Sequence, residues 1–284
     1  MRRSLLFIPA NTPAMMQNAD VFEADGVIFD LEDAVQVTEK DAAIDLFTQF
    51  LNQFKLSHVE IIVRINGLDT PFGVNDLHRV ISDHIDTIML PKATISSTAL
   101  CEGLIRKIEK KKKMTKEIKI IPIIERAASV IEAYEIASIE RVNGLLLGAE
   151  DLATDLEIER TEQGHEIQFA RSMVIMAAKA NGIDAIDTPY TSTTNMNGLQ
   201  IDAQFAKSLG MNAKACIHPN QIDIINQVFS PSKEAILHAR RILDAEAEAI
   251  KQHRGAFSVD GKMIDKPIIE RARKVIEKAT HWKI

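Results

Sequence analysis

The chain of 284 residues has an ordinary globular composition, with 46% hydrophobic and 26% charged residues, and a formal net charge of −6. Its length suits one large α/β barrel with an extension better than two independent domains, and its acidic balance argues against nucleic acid or an anionic membrane as a partner. No apolar run approaches the ~20 residues of a membrane span, and the apolar region near the N-terminus is too short for a secretory signal, so we expect a cytoplasmic protein.

Apolar strand-like runs alternate along the chain with stretches of helical apolar spacing. The eight predicted strands are Ser4–Ile8, Val27–Asp30, Ile61–Ile65, Thr87–Leu90, Lys119–Ile124, Gly144–Leu147, Ala185–Asp187 and Ala213–Ile217. The helical patterns between them include Ala42–Phe54, Ala99–Lys110, Ala127–Ile139 and Ile167–Lys179. Since the strand runs are apolar throughout, both of their faces are expected to be buried. This alternation predicts a (β/α)8 TIM barrel over residues 1–228.

Residues 229–284 form a C-terminal helical extension that exceeds what a barrel needs. After the eighth strand, helical patterns cover Gln221–Phe229 at the end of the barrel and Lys233–Gln252 and Pro267–Thr280 in the extension, with a loop predicted at Gly255–Gly261. The proline at the start of the last pattern is typical of a first helical turn. The extension either packs on a neighbouring subunit or caps its own barrel.

Acidic residues follow three of the predicted strands, namely the cluster at 30–33, Glu125, and Glu150 with Asp151. The carboxyl ends of barrel strands form the edge at which ligands bind. Because Glu125 and Asp151 lie on adjacent strands, their carboxylates can meet on one divalent cation, and we expect Mg²⁺. The alternative for each residue is a helix cap or a salt bridge.

Two basic residues lie near the same edge. Arg64 interrupts an apolar strand, where a guanidinium is costly to bury without anionic partners. It binds either a substrate carboxylate or developing enolate, or a carboxylate of a neighbouring strand. Lys92 is a weaker candidate, since a lysine can reach solvent. Thr188 and Tyr190 could add hydroxyl contacts after the seventh strand.

Several short motifs along the chain, in this order, resemble the citrate lyase β-subunit family, within the HpcH/HpaI aldolase superfamily. They include Phe29–Val35, Val63–Asn66, Gly73–Leu77, Leu90–Lys92, Leu147–Leu152, Phe169–Arg171, Ala185–Thr188, Ile217–Pro219 and Gly261–Pro267. The resemblance implies a trimeric barrel that binds Mg²⁺ through Glu125 and Asp151 and substrate through Arg64. It also implies that Asp265 reaches a neighbouring subunit's site as catalytic acid/base. By composition alone, Asp265 reads as the N-cap of the last helix.

Together with these residues, the resemblance implies a Mg²⁺-dependent carbon–carbon lyase that cleaves a citryl thioester, carried by acyl carrier protein or coenzyme A, into oxaloacetate and an acetyl thioester. Arg64 and Asp265 are the predicted catalytic residues. Asp30, Glu32, Arg64 and Lys92 are the predicted substrate-binding residues. Acyl-carrier and CoA-transferase subunits of a citrate lyase complex are candidate partners. A citramalyl-CoA or malyl-CoA lyase is the alternative, and a non-catalytic thioester-binding or assembly subunit is the rival of another class.

Overall fold

A closed barrel of eight parallel strands in sequential order forms the centre of the computed structural model, which describes residues 1–252 and 257–284. The strands are β1 Ser4–Pro9, β2 Gly26–Asp30, β3 Glu60–Arg64, β4 Thr87–Leu90, β5 Lys119–Ile124, β6 Gly144–Leu147, β7 Asp184–Asp187 and β8 Ala213–Cys216. β1 pairs with β8 as well as with β2, which closes the barrel. The predicted fold is therefore confirmed.

Helices follow the strands around the outside of the barrel. They are α1 Pro13–Gln17, α2 Lys40–Gln53, α3 Gly73–Val80, α4 Ile95–Lys112, α5 Ala127–Ile131, α6 Ala133–Ala137, α7 Ala149–Asp155, α8 Gln168–Ala180, α9 Met196–Leu209 and α10 Ile222–Phe229. The helix predicted over Ala127–Ile139 is thus two short helices, because Glu132 leaves the helical region with φ −91° and ψ 10°. No helix of the described residues is long and apolar enough to cross a membrane.

The interior of the barrel is a packed apolar core. Its buried members come from all eight strands and are Leu5, Ile28, Ile62, Met89, Ile121, Ile123, Leu146, Ile186, Ala213 and Ala215. A filled barrel has no central channel. A ligand site is therefore expected at a rim of the barrel, and the acidic residues identified from the sequence lie at the carboxyl rim.

The chain divides into two compact units, residues 2–227 and residues 228–284 with Met1. After α10, the second unit contains α11 Lys233–Lys251, β9 Phe257–Val259, β10 Lys262–Ile264 and α12 Lys266–His281. The strands β9 and β10 are antiparallel. Its own small core consists of Ala239, Ile242, Ile264 and Ala272. Packing of this unit on a neighbouring subunit stays a prediction.

The loop predicted at Gly255–Gly261 is wrong for residues 257–259, which form β9. Asp260 and Gly261 have φ values of 51° and 74°. Two consecutive residues with positive φ form the tight turn that suits a two-residue β-hairpin, and Asp-Gly is a preferred sequence for it. Gly255 lies outside the described residues.

Candidate functional site at the carboxyl rim of the barrel

Glu125 is the first residue after β5, and its side chain is buried against β6. The residue is only 5% exposed. Gly148 follows β6, and a Cβ at that position would lie 2.6 Å from Glu125 Oε2 and 2.7 Å from Glu125 Cβ. Those distances are too short for any real Cβ contact, so the glycine leaves the space that the glutamate side chain occupies.

Lys92 contacts acidic residues that follow three of the strands. Its backbone is left-handed, with φ 49°, which is uncommon for a residue other than glycine and is often found at functional sites. The backbone N–H donates to Glu125 Oε1 at 2.5 Å. Its Nζ lies 3.4 Å from Glu32 Oε1 and 3.9 Å from Asp151 Oδ2. Glu32, Glu125 and Asp151 therefore each contact Lys92, while metal binding by Glu125 and Asp151 stays a prediction.

The electrostatics of this acidic group favour a bound cation. Burial raises the pKa of Glu125 to about 7, and the charges of Asp151 and Glu32 add to the effect. Burial also raises the pKa of Glu32, although Arg64 opposes it. Arg64 Nη1 forms an ion pair with Glu32 Oε2 at 2.8 Å. This buried oxygen nevertheless accepts no hydrogen bond from the described residues. Carboxylates with raised pKa values are stabilised in their ionised form by a nearby positive charge.

Arg64 is held by carboxylates of the chain itself. Its Nε and Nη2 donate to the two oxygens of Asp30 at 2.8 and 2.6 Å, and Nη1 donates to Asp33 at 3.2 Å. Burial works to lower the pKa of Arg64, but the three neighbouring carboxylates outweigh it and raise the pKa. The sequence offered a carboxylate of a neighbouring strand as the alternative partner of Arg64. The structure contains such ion pairs.

Asp30 is the most fully engaged of these carboxylates. Besides Arg64, it accepts hydrogen bonds from the backbone N–H groups of Glu32 at 2.8 Å and Ala34 at 3.1 Å. Its side chain is 3% exposed. The structure therefore places Asp30 where it orients Arg64, and a direct contact with substrate stays a prediction.

Asp151 lies in the first turn of α7, and its side chain is 45% exposed. The start of α7 is fixed by Thr188, whose Oγ1 accepts the N–H of Ala149 at 3.3 Å. The hydroxyl of Tyr190 is engaged with Asn195 Nδ2 at 3.2 Å. Both predicted hydroxyl groups thus make contacts within the protein.

Asp265 lies in the C-terminal unit, where it is the N-cap of α12. Its Oδ1 accepts the N–H of Ile268 at 3.2 Å, and the residue is exposed. The capping alternative is therefore present in the structure. The other carboxylate oxygen has no hydrogen bond within the described parts of the chain, so capping does not use the whole side chain.

The donor atoms suit a hard divalent cation. Within residues 1–252 and 257–284, no three His, Cys, Asp or Glu side chains converge closely enough to hold a metal ion by themselves. Glu125 and Asp151 therefore supply at most part of a coordination shell. Mg²⁺ is commonly bound through one or two carboxylates, with waters and substrate oxygens at the remaining positions.

A pocket of about 630 Å³ opens over the ends of β2, β3, β4 and β5. Its lining includes residues of the loops 32–40 and 66–72, together with Lys92 and Arg126. The sequence prediction missed Arg126, although its position directly after Glu125 was a signal. It also missed a buried quartet of Arg171, Asp187, Asp202 and Lys214, for which the lysine inside the short apolar strand β8 was the available signal.

The fold and its rim define a (β/α)8-barrel protein with an acidic site at the carboxyl ends of its strands. A model of the HpcH/HpaI aldolase/citrate lyase family matches residues 3–219. The chain belongs to this family, which confirms the resemblance seen in its motifs.

Relatives of known name and structure cover between 81% and 98% of the chain. The citrate lyase subunit beta of Haemophilus influenzae is 38% identical over 282 residues, which cover 98% of this chain and 97% of the relative. The protein CitE of Mycobacterium tuberculosis, solved with magnesium, acetoacetate and coenzyme A, has a TM-score of 0.79 and 30% identity, with 98% of each chain covered. A citrate lyase beta subunit from M. tuberculosis, solved with oxaloacetate and magnesium, has a TM-score of 0.68 and 29% identity, covering 81% of this chain and 97% of the other.

Proposed function

We propose that the protein is a Mg²⁺-dependent carbon–carbon lyase that cleaves a citryl thioester into oxaloacetate and an acetyl thioester. The observation that carries the proposal is the convergence of Glu32, Glu125 and Asp151 on Lys92 at the carboxyl rim. Support comes from the relatives, which include a citrate lyase subunit beta and structures that contain magnesium, coenzyme A or oxaloacetate.

Glu125 and Asp151 are the proposed metal ligands. Mg²⁺ bound there would lower the pKa of the substrate hydroxyl and act as a Lewis acid on the carbonyl that forms. Glu125 binds a cation only when it is ionised, and its raised pKa makes that ionisation sensitive to pH near neutrality. The N–H of Lys92 fixes one of its oxygens.

The reaction is a reverse Claisen cleavage in which negative charge moves from one half of the substrate to the other. A base removes the proton from the tertiary hydroxyl, the carbon–carbon bond breaks, and its electron pair becomes the enolate of the acetyl thioester, which then takes up a proton. Arg64 is proposed to offset the developing negative charge, because a cation already oriented by Asp30 needs no rearrangement during the step. Glu32 and Lys92 would contact substrate beside it.

Asp265 is proposed as the acid/base that acts in the site of a neighbouring subunit. This assignment requires an oligomer, for which we propose a homotrimer with residues 1–228 as the barrel and 229–284 as the extension that packs on the neighbour. The thioester would be carried by acyl carrier protein or by coenzyme A. Acyl-carrier and CoA-transferase subunits of a citrate lyase complex are the proposed partners.

The test is the release of oxaloacetate from citryl-CoA and from citryl–acyl carrier protein, followed with a coupled dehydrogenase. We expect release with Mg²⁺, loss of activity in EDTA, and recovery when Mg²⁺ is restored. Citramalyl-CoA and malyl-CoA are assayed in parallel through pyruvate and glyoxylate. Preference for either of these would change the substrate assignment, and cleavage of none of the thioesters would favour a non-catalytic subunit.

A further inference from the structure

We infer that Arg126 determines substrate specificity by binding the second carboxylate of the citryl group. A citryl thioester carries a carboxymethyl group on the carbon that bears the hydroxyl. A citramalyl thioester has a methyl group at that position and a malyl thioester has a hydrogen. The inference rests on the proposed function and names the residue by which this site would distinguish the three acids.

Arg126 is adjacent in the chain to a proposed metal ligand and also lines the pocket. It directly follows Glu125 in the chain and precedes α5, with the extended backbone angles φ −135° and ψ 149°. The half-buried side chain lines the same pocket of about 630 Å³ as Lys92 and Glu32. A substrate that extends from the metal site into this pocket would therefore meet this guanidinium.

Among the cations that line the pocket, Arg126 differs in that its side chain has no partner among the described residues. Lys40 Nζ donates to the carbonyl oxygens of Leu31 at 2.8 Å and Glu32 at 2.6 Å. Lys92 lies between Glu32 and Asp151. The guanidinium of Arg126 makes no hydrogen bond or ion pair with any residue of the two described ranges. A guanidinium is positively charged and donates hydrogen bonds without accepting any, so an anionic group of a ligand is a suitable partner for it.

A thioester substrate offers two kinds of anion, the carboxylates of the acyl group and the phosphate of the pantetheine arm. We place the substrate hydroxyl and the carboxylate on the same carbon at the proposed metal site, because Mg²⁺ prefers oxygen ligands. The remaining carboxylate is only two bonds from the carbon that bears the hydroxyl, whereas the phosphate lies at the far end of the arm. Because Arg126 adjoins Glu125, the geometry favours the carboxylate, and the planar guanidinium matches it with two parallel hydrogen bonds.

The direct test measures the affinity of the protein with Mg²⁺ for oxaloacetate and for pyruvate by calorimetry. Oxaloacetate is pyruvate with one additional carboxylate, and neither contains a phosphate. Arg126→Gln should weaken oxaloacetate binding about 10- to 100-fold, the range expected for a hydrogen bond to a charged group, and leave pyruvate binding unchanged. Arg126→Lys should retain part of the oxaloacetate affinity. Arg240→Gln, which removes an exposed arginine of α11, is the matched control and should change neither affinity.

Kinetics give the second measurement. In Arg126→Gln, the ratio of kcat/KM for citryl-CoA to kcat/KM for citramalyl-CoA should fall by a similar factor. An unchanged ratio would overturn the inference, and so would a wild-type protein that binds pyruvate as tightly as oxaloacetate. Equal losses on all CoA thioesters with unchanged oxaloacetate affinity would assign Arg126 to the phosphate instead and also overturn it. The proposed function fails separately, if the wild-type protein with Mg²⁺ cleaves no thioester.

Discussion

Two charge clusters of the barrel differ in how completely their charges are paired. The buried quartet of Arg171, Asp187, Asp202 and Lys214 contains two cations and two carboxylates. Arg171 binds Asp187 at 2.8 Å and Asp202 at 2.6 Å, and Lys214 lies 2.6 Å from each carboxylate. Burial works to raise the pKa of Asp202, but the two cations outweigh it and lower the pKa. The charges of the quartet are balanced without any ligand.

The rim cluster comprises Asp30, Glu32, Asp33, Arg64, Lys92, Glu125 and Asp151. Its five carboxylates outnumber the two cations that contact them. The pKa values of Glu32 and Glu125 are raised, in contrast to that of Asp202. A balanced buried cluster contributes to the fold, whereas an unbalanced one at a strand edge is suited to bind a cation.

The largest expected effect is on catalysis. Glu125→Gln should lower kcat/KM more than about a thousand-fold, because Lewis-acid stabilisation by a metal contributes several kcal/mol and each 1.4 kcal/mol is tenfold in rate. Its melting temperature should not fall, since the substitution removes a buried charge. Glu135→Gln, at an exposed carboxylate of α6, is the control. Wild-type activity in Glu125→Gln would contradict the metal assignment.

A substitution in the buried quartet should, in contrast, lower stability more than catalysis. Asp187→Asn leaves two buried cations with one carboxylate, so the free energy of unfolding should fall by about 3–5 kcal/mol. Activity per folded molecule should change far less than in Glu125→Gln. Urea unfolding and kcat/KM provide the two measurements, with the exposed Asp223→Asn of α10 as control. A catalytic loss without a stability loss would remove the distinction between the clusters.

Stability should also depend on pH through Glu125. Its carboxyl keeps a proton up to about pH 7 in the folded state, against an ordinary value of 4.5. Between these values the folded state binds more protons than the unfolded state, so the free energy of unfolding should fall as pH rises, by on the order of 3 kcal/mol in all. Urea unfolding at about pH 5 and about pH 8 measures this fall, which Mg²⁺ should reduce. Glu125→Gln should lack this fall, and an equal pH dependence in wild type and variant would contradict the raised pKa.

The smallest expected signal concerns the sharing of sites between subunits. Asp265→Ala and Glu125→Ala should each be inactive, yet oligomers refolded from an equal mixture should recover about a quarter of wild-type activity. A composite site needs an intact metal ligand from one parent and an intact aspartate from the other, each with a probability of one half. Absence of recovery in verified mixed oligomers would mean that Asp265 acts within its own chain or only caps α12.

Much of the architecture was predictable because it depends on local patterns. Apolar runs, their alternation with helices and the acidic residues that end them identified eight strands and a carboxyl rim. The hairpin at β9 and β10 was missed because its strands are only three residues each, although the Asp260–Gly261 turn signal was present. The break between α5 and α6 at Glu132 was also missed, because no proline or glycine marks it in the sequence.

The sequence by itself determined the barrel, its family and the strand ends at which acidic residues gather, because periodicity and motif order are properties of neighbouring residues. Only the tertiary structure decided which charges meet. Arg64 and Asp30 are separated by 34 positions and are paired by the register of β2 and β3. The left-handed backbone of Lys92 likewise depends on how the loops at the rim are arranged, and so does the lack of a partner for the Arg126 guanidinium among the described residues. Pairing depends on distances between strands, and the chain sets those distances only when it folds.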